Sequence, residues 1–384
     1  MQCDYFDAGA CRSCSWMGRP HTDQLAALDA AAREALRDHR SIVWDEPVGG
    51  REEGFRNKAK MVVGGTPQRP TLGILDRAGA GVDLRGCGLH EPALHDALPV
   101  LAEHLVEASL VPYDVPSRRG ELKHLLVTVS PDGELMVRWV LRSTESLPRL
   151  RKHLPALLER LPVAVASANL QPEHKAVLEG PEEVLLTERA TLPMRFGTAE
   201  RPVLLQLPPG GFFQTNTEVA VALYREVADR VAEVAPRTLW DLYCGVGGFA
   251  LHAALHPAHT PDRVVGVEVS AEAVDGARRA ATDAGLGPEQ ARFLADDATA
   301  WARTTAEPPP DLVVVNPPRR GLGPDLAGWL EDHGPRHVVY SSCRVESLAR
   351  DLADMASYAP VSARVLDMFP QTAHAEVLTV LERR

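Results

Sequence analysis

From residue 217 onward, short apolar runs alternate with helix-patterned segments, and nothing else in the chain restricts its fold so tightly. Runs at 238–243, 264–269, 292–294, 312–315 and 337–340 read as strands, and 218–234, 271–284 and 348–355 read as helices. Strands separated by helices do not form hairpins. They lie parallel in one sheet, with the helices packed on its faces. Two last runs, 361–369 and 377–381, close the sheet. The expectation is an α/β, Rossmann-like domain over 206–384. Ligands of such sheets sit at the C-terminal strand ends. The suspicious motifs fall there: Asp241-x-Tyr243-Cys244-Gly245-x-Gly247-Gly248, the acids Glu268 and Asp296-Asp297, Asn316-Pro317-Pro318-Arg319, and the run ending in Cys343.

Upstream the texture differs. Leu25, Leu28, Ala32 and Leu36 recur at helical spacing within 18–40. From about 45 to 195, runs such as LKHLLVTVS, ELMVRWVLR and AVLEG alternate with turn signals, including Pro131-Asp132-Gly133, and 192–207 continues the pattern. With helices expected at 96–110 and 145–161, this reads as an α+β middle domain over 46–205. A cysteine-bearing region, 1–45 plus Cys87, precedes it. No run of 18 apolar residues occurs, so no transmembrane helix is expected. The start MQCDYFDAG lacks the features of a signal peptide, so a cytoplasmic protein is expected.

The formal net charge of −11 argues, taken alone, against a nucleic-acid partner. Binding depends on local charge, however, and basic residues cluster at Arg56, Lys58 and Lys60, at Arg118, Arg119 and Lys123, and at Arg138, Arg142, Arg149, Arg151 and Lys152. The bland alternative is an ordinary solvated surface.

The glycine loop after 238–243 lets backbone approach a ligand closely. It matches neither the GxGxxG dinucleotide pattern nor a phosphate loop with its lysine. Glu268 ends the next strand, where a carboxylate can accept both ribose hydroxyls, and Asp297 follows where it could take an adenine amino group. A ribose and an adenine without a phosphate fit S-adenosylmethionine. Cys244 reads as a small residue packed beside the loop. Gln214, in Gly210-Gly211-Phe212-Phe213-Gln214, could contact the cofactor or a base, and Phe212 could stack on a ring.

Cys343 and Glu376 offer a thiol and a carboxylate near the end of the same domain. Uracil C5 is a weak nucleophile until a thiolate adds at C6, and a base must then remove the C5 proton so that the thiol can leave. Cys343 stands near a helix start, where backbone N–H groups favour a thiolate. Asn316 carries both a donor and an acceptor for a pyrimidine edge. The bland readings are a buried strand-end cysteine and an incidental acid. At the other end, Cys3, Cys11, Cys14 and Cys87 could share one metal, and the spacing does not choose between zinc and an iron–sulfur cluster.

Taken in order, MQC, CRSC, FRNKAKMVV, RRGELK, FFQTN, DLYCGVGG, VNPPRRG, SSC and DMFPQTAHAEVL resemble the RNA uracil-5-methyltransferases over nearly the whole chain. The branch acting on uridine 747 of 23S rRNA fits best, because the N-terminus bears cysteines and no extra N-terminal barrel precedes it. The resemblance implies Cys343 as nucleophile and Glu376 as proton-abstracting base. It implies Gln214, Tyr243, Gly245, Glu268 and Asn316 as cofactor or substrate contacts, beside the Asp297 already named. It further implies a [4Fe-4S] cluster on Cys3, Cys11, Cys14 and Cys87, and 23S rRNA as partner; no protein partner is implied, and the expectation is a monomer. Several relatives carry Asp where this chain has Asn316, so a catalytic carboxylate is excluded there. The alternatives are the same chemistry on another rRNA or tRNA uridine, an amino-methyltransferase, and an iron–sulfur RNA-binding protein on a degenerate fold.

Overall fold

The computed structural model describes residues 1–175, 177–197 and 202–384. The chain divides into two compact units, one of residues 1–17 with 52–194 and one of 18–51 with 195–384.

The first unit is built on a seven-stranded sheet in the order Gly81–Asp83, Arg69–Leu75, Lys58–Thr66, Leu122–Val129, Leu135–Leu141, Val163–Leu170, Glu182–Leu185. Neighbours are antiparallel except Leu135–Leu141 and Val163–Leu170, which pair in parallel. The connection between those two is helix Leu147–Arg160, as a parallel crossover requires. This helix and Pro92–Glu107 contribute Leu94, Leu98, Leu101 and Leu150 to a core that includes the fully buried Trp139. Strand Leu135–Leu141 is buried along its whole length, so it is apolar on both faces apart from Arg138 rather than alternating. Of the β-rich AVLEG run, Ala176 lies outside the described residues and Val177–Gly180 is not strand. The 192–207 run contains strands Leu192–Gly197 and Pro202–Leu207, and 198–201 lie outside the described residues.

Two of the basic groups belong partly to the interior of this unit. Arg138 is buried and donates to both carboxylate oxygens of Glu183. Lys58 is buried, and its ammonium is lowered to about 8 by desolvation and by its neighbour Lys60. Arg118, Arg119, Arg151 and Lys152 are exposed.

In the second unit, the strands are β1 (Val43–Trp44), β2 (Thr238–Leu242), β3 (Arg263–Glu268), β4 (Ala291–Ala295), β5 (Leu312–Val315), β6 (His337–Ser342), β7 (Tyr358–Leu366) and β8 (Glu376–Arg383). They form one sheet in the order β1-β7-β8-β6-β5-β2-β3-β4. Strands β6, β5, β2, β3 and β4 are mutually parallel. Strand β8 is antiparallel to both β6 and β7, and β1 is parallel to β7. From β2 the chain winds outward through β3 and β4, then returns to the other side of β2 with β5 and β6. The switch point lies between the C-terminal ends of β2 and β5. The α/β, Rossmann-like reading holds.

Local chemistry fixes the helix starts. Asn216 Oδ1 accepts from the Val219 N–H at the head of Thr217–Val234, and Ser270 Oγ accepts from the Ala273 N–H at the head of Ala271–Asp283. The first of these helices stops at Ala235, which adopts a left-handed φ of 52°. Strand β5 is entirely buried, consistent with a central parallel strand covered on both faces. Trp240 packs edge-on to Trp301 at 4.5 Å and stacks on Trp329 at 5.6 Å. Among the described residues no helix is long and apolar enough to cross a membrane.

Candidate active site

Strand β2 delivers Asp241 into the interior and then breaks into the glycine loop. Tyr243, Gly245 and Gly247 all take positive φ, at 66°, 54° and 81°. At Gly247 a Cβ would lie 3.1 Å from the Phe293 ring and 3.2 Å from Ala277, so glycine suits both the angle and the close packing. Asp241 is fully buried. Its Oδ2 accepts from the Ala250 N–H at 2.9 Å, while Oδ1 has no hydrogen-bond partner among the described residues. Burial, more than the nearby Glu268, pushes its carboxyl up to about 7.

Glu268 ends β3 with each oxygen held by backbone. The Gly245 N–H donates to Oε2 at 3.2 Å and the Ser270 N–H donates to Oε1 at 3.0 Å. The carboxylate is thereby fixed against the glycine loop. Gln214, Tyr243, Gly245 and Asn316 line one small cavity of about 40 Å³, together with Phe212 and Phe249. Phe212 is 70 % exposed, which leaves its ring face open to stacking. Asp297 is exposed and does not line that cavity; its Oδ1 caps helix Ala298–Thr304 through the Ala300 N–H at 2.8 Å. It is near enough for its charge to help raise the Tyr243 phenol. Cys244 is buried and packed, its thiol raised well above the ordinary value by desolvation.

A second cavity, of about 320 Å³, is lined by Cys343, Arg319, Arg344 and His374, with Leu28 and Ala32 from helix His21–Ala35. Sheet register explains why Cys343 and Glu376 meet although 33 positions separate them. Strands β6 and β8 are antiparallel with Ser342, the last residue of β6, opposite Val377, so the residue that follows β6 comes level with the first residue of β8. Glu376 is 1 % exposed. Its Oε1 accepts from Ser341 Oγ at 2.5 Å and from Asn316 Nδ2 at 2.9 Å. Desolvation raises its carboxyl to about 7, and these two donors oppose that rise.

The Cys343 thiol departs from expectation. Helix Val345–Ala353 does begin just after it, yet the thiol is raised. Burial is the main cause and the Glu376 charge adds to it, while Arg319 pulls the other way. Asn316 also differs from its expected role. Its Nδ2 donates to Glu376 and to the Ser341 carbonyl at 3.1 Å, so only Oδ1 remains to meet a pyrimidine N–H. Ser341, Arg319 and the helix His21–Ala35 received no role from the sequence. The signal for Ser341 was its position two residues before Cys343, at the C-terminal end of a strand.

The metal expectation is corrected. Cys3, Cys11, Cys14 and Cys87 do line one cavity, of about 170 Å³, and Cys14 is raised to about 11 by burial and by the other three thiols. All four are free cysteines, and Cys14 packs with Phe55 and Leu89. Among the described residues, no group of three or more Cys, His, Asp or Glu side chains is arranged to hold a metal ion. Neither zinc nor a [4Fe-4S] cluster is supported, and the metal-binding and iron–sulfur readings are withdrawn.

No protein-family model matches the chain. It is 45% identical over 386 residues to the 23S rRNA (uracil(747)-C(5))-methyltransferase RlmC of Yersinia pestis, spanning 100% of both chains. It is 44% identical over 385 residues, again spanning 100% of both, to the protein of the same name from Pectobacterium atrosepticum. The solved tRNA (uracil-54, C5)-methyltransferase of Pyrococcus abyssi, in complex with S-adenosyl-L-homocysteine, superposes with a TM-score of 0.76 over 96% of this chain and 85% of that one. At 23% identity that likeness speaks for the fold.

Proposed function

Because the chain belongs to the RlmC family of 23S rRNA (uracil(747)-C(5))-methyltransferases, we propose that it methylates uridine 747 of 23S rRNA, with Cys343 as nucleophile and Glu376 as base. The chemistry is S-adenosylmethionine-dependent methylation of a uridine at C5. The observation that carries the residue assignment is the Asn316 side chain. It lines the cofactor cavity and hydrogen-bonds Glu376, which links the methyl donor's cavity to the base beside Cys343.

When bound, S-adenosylmethionine would supply an electrophilic methyl group, its S–CH3 bond breaking with the electron pair kept on sulfur so that S-adenosylhomocysteine leaves. The chain's residues supply the rest. The Cys343 thiolate forms a bond to uracil C6, and the electron pair of the C5=C6 bond moves to C5 and O4 as an enolate. Arg319, opposing the effect of burial on the thiol, favours the thiolate. C5 then acquires the methyl group. Glu376 removes the C5 proton, the C5=C6 double bond re-forms and the Cys343–C6 bond breaks. Asn316 Oδ1 accepts a hydrogen bond from the pyrimidine.

S-adenosylmethionine would be held at the glycine loop, where Glu268 would accept from its ribose hydroxyls and Asp297 would meet its adenine. Gln214, Tyr243 and Gly245 line its path. Asp241 Oδ1, without a hydrogen-bond partner among the described residues, is a buried acceptor at the end of the strand that leads into that loop. Glu268→Ala is expected to weaken S-adenosylmethionine binding by about 10- to 100-fold, the loss of a charge-assisted hydrogen-bonding group. Isothermal titration calorimetry checks it, and unchanged affinity would remove Glu268 from the ribose.

The rRNA is held by the middle region, 46–205, through its exposed cations, Arg118, Arg119, Arg151 and Lys152. The overall charge of −11 is compatible because phosphates respond to local cations. The protein acts in the cytoplasm as a monomer. Mass-spectrometric mapping of unmodified 23S rRNA after incubation with the protein and labelled S-adenosylmethionine tests the assignment. A C5-methyl at uridine 747 is expected. A methyl on a different uridine would keep the chemistry and overturn the target.

A further inference from the structure

Ser341 and Ser342 end strand β6 just before Cys343, and Ser342 Oγ donates to the Arg344 carbonyl at 2.9 Å. Ser341 is completely buried, and so is Glu376 to within 1 %. Three polar contacts close a compact triangle among Ser341, Asn316 and Glu376. Ser341 Oγ donates to Glu376 Oε1 at 2.5 Å, Asn316 Nδ2 donates to that oxygen at 2.9 Å, and Asn316 Nδ2 also donates to the Ser341 carbonyl at 3.1 Å. Both side-chain donors therefore land on Oε1.

Resting on the functional reading above, we propose that Ser341 is a positioning residue for the proton-removal step: its hydroxyl, with the Asn316 amide, anchors Oε1 of Glu376 and leaves Oε2 to take the C5 proton. A carboxylate anchored at one oxygen cannot rotate about its terminal torsion without giving up two hydrogen bonds, so the reactive oxygen is defined before the substrate arrives. The same two donors keep the buried group ionisable near neutrality. Without them, desolvation alone would hold the proton on Glu376 and remove the base. Asn316 has a second task, because its side chain also borders the cofactor cavity. Ser341 is not among the residues lining either cavity around the reacting atoms, so its influence on the reaction passes through Glu376.

The test compares Ser341→Ala, Ser341→Thr and Ser341→Val with Glu376→Gln under single-turnover conditions across pH, using full-length protein, 23S rRNA and S-adenosylmethionine. Cofactor affinity is measured for each variant as a check on folding. Ser341→Ala is expected to slow methyl-product release at pH 7 by about 10- to 100-fold, the effect of one hydrogen bond to a charged group. The acid limb of its pH profile should move upward by about one unit or more, and denaturation-resistant RNA–protein adduct should accumulate. Ser341→Thr, which keeps the hydroxyl, should restore the profile. Ser341→Val, of similar size without it, should not, and this pair decides the matter if the alanine variant binds cofactor poorly. A Ser341→Ala or Ser341→Val profile like the wild type, alongside an impaired Glu376→Gln, overturns the role of Ser341 alone. Normal turnover by Glu376→Gln overturns both the functional reading and this inference.

Discussion

Glu376→Gln should lower turnover by about 10²- to 10⁴-fold, the usual contribution of a general base, and should leave RNA and protein covalently joined. The reason is the order of events. Addition of Cys343 and acquisition of the methyl group precede proton removal, so a protein without its base halts at the methylated adduct. A denaturing gel with labelled RNA shows the complex, and a variant that turns over normally with no retained RNA would exclude Glu376. The environment of Glu376 also sets the pH dependence. Its carboxyl is raised to about 7 and must be ionised to act. The proton-removal step should therefore climb about tenfold per unit below pH 7 and level off above it, while thiolate formation at Cys343, whose thiol is raised, keeps the addition step rising to higher pH.

The same group fixes a stability effect of definite sign. The folded carboxyl, at about 7, stands above its ordinary value, so the folded state holds the proton more tightly than the unfolded chain. Stability contributed by Glu376 is complete below its unfolded pKa and is lost as pH rises through about 7. Above that, the buried charge costs roughly 3 kcal/mol. Glu376→Gln should consequently melt higher than the wild type at pH 8, and the advantage should vanish near pH 4. An advantage independent of pH would contradict the raised carboxyl.

Cys343→Ala should abolish methyl transfer and all covalent capture of RNA while S-adenosylmethionine binding persists. The expected loss exceeds that of Glu376→Gln because C5 is scarcely nucleophilic until a thiolate has added at C6. Cys343 lies in the cavity with Arg319 and His374, and the glycine loop lines a separate one, so cofactor affinity should change little. Filter binding of labelled cofactor and a methyl-transfer assay separate the two properties. An amino-methyltransferase would need no thiol, and retained activity in Cys343→Ala would return the chain to that alternative.

The parts of the fold legible in the sequence are those where burial alone writes the pattern. Strand β5 is buried on both faces and appears as an unbroken Leu-Val-Val-Val run; helix Thr217–Val234 carries its apolar stripe behind an asparagine cap. The short helices Ala298–Thr304 and Pro324–His333 escaped notice because seven to ten residues give too little periodicity. The antiparallel register of β6 and β8, which brings Cys343 level with Glu376, is a long-range property that no local pattern encodes. The burial of Arg138 depends equally on distant partners, since the carboxylate that receives it lies 45 positions away. Among the site residues, motif types pointed to Gln214, Tyr243, Gly245 and Asn316, which do share a cavity. Cysteine spacing, by contrast, suggested a cluster that the arrangement of the four thiols does not support.

The central claim is that Cys343 becomes covalently bonded to the target uracil on the way to methylation. A 23S rRNA fragment with 5-fluorouridine at the position methylated by the RlmC relatives, 747, tests it most directly. Fluorine at C5 cannot leave as a proton, so the adduct persists after the methyl group has been acquired. Digestion of the trapped complex and mass spectrometry locate the bond. The account predicts a methylated fluorouridine nucleotide attached to the peptide that contains Cys343. Attachment to any other residue, or no adduct from a preparation that methylates the unfluorinated fragment, would contradict it.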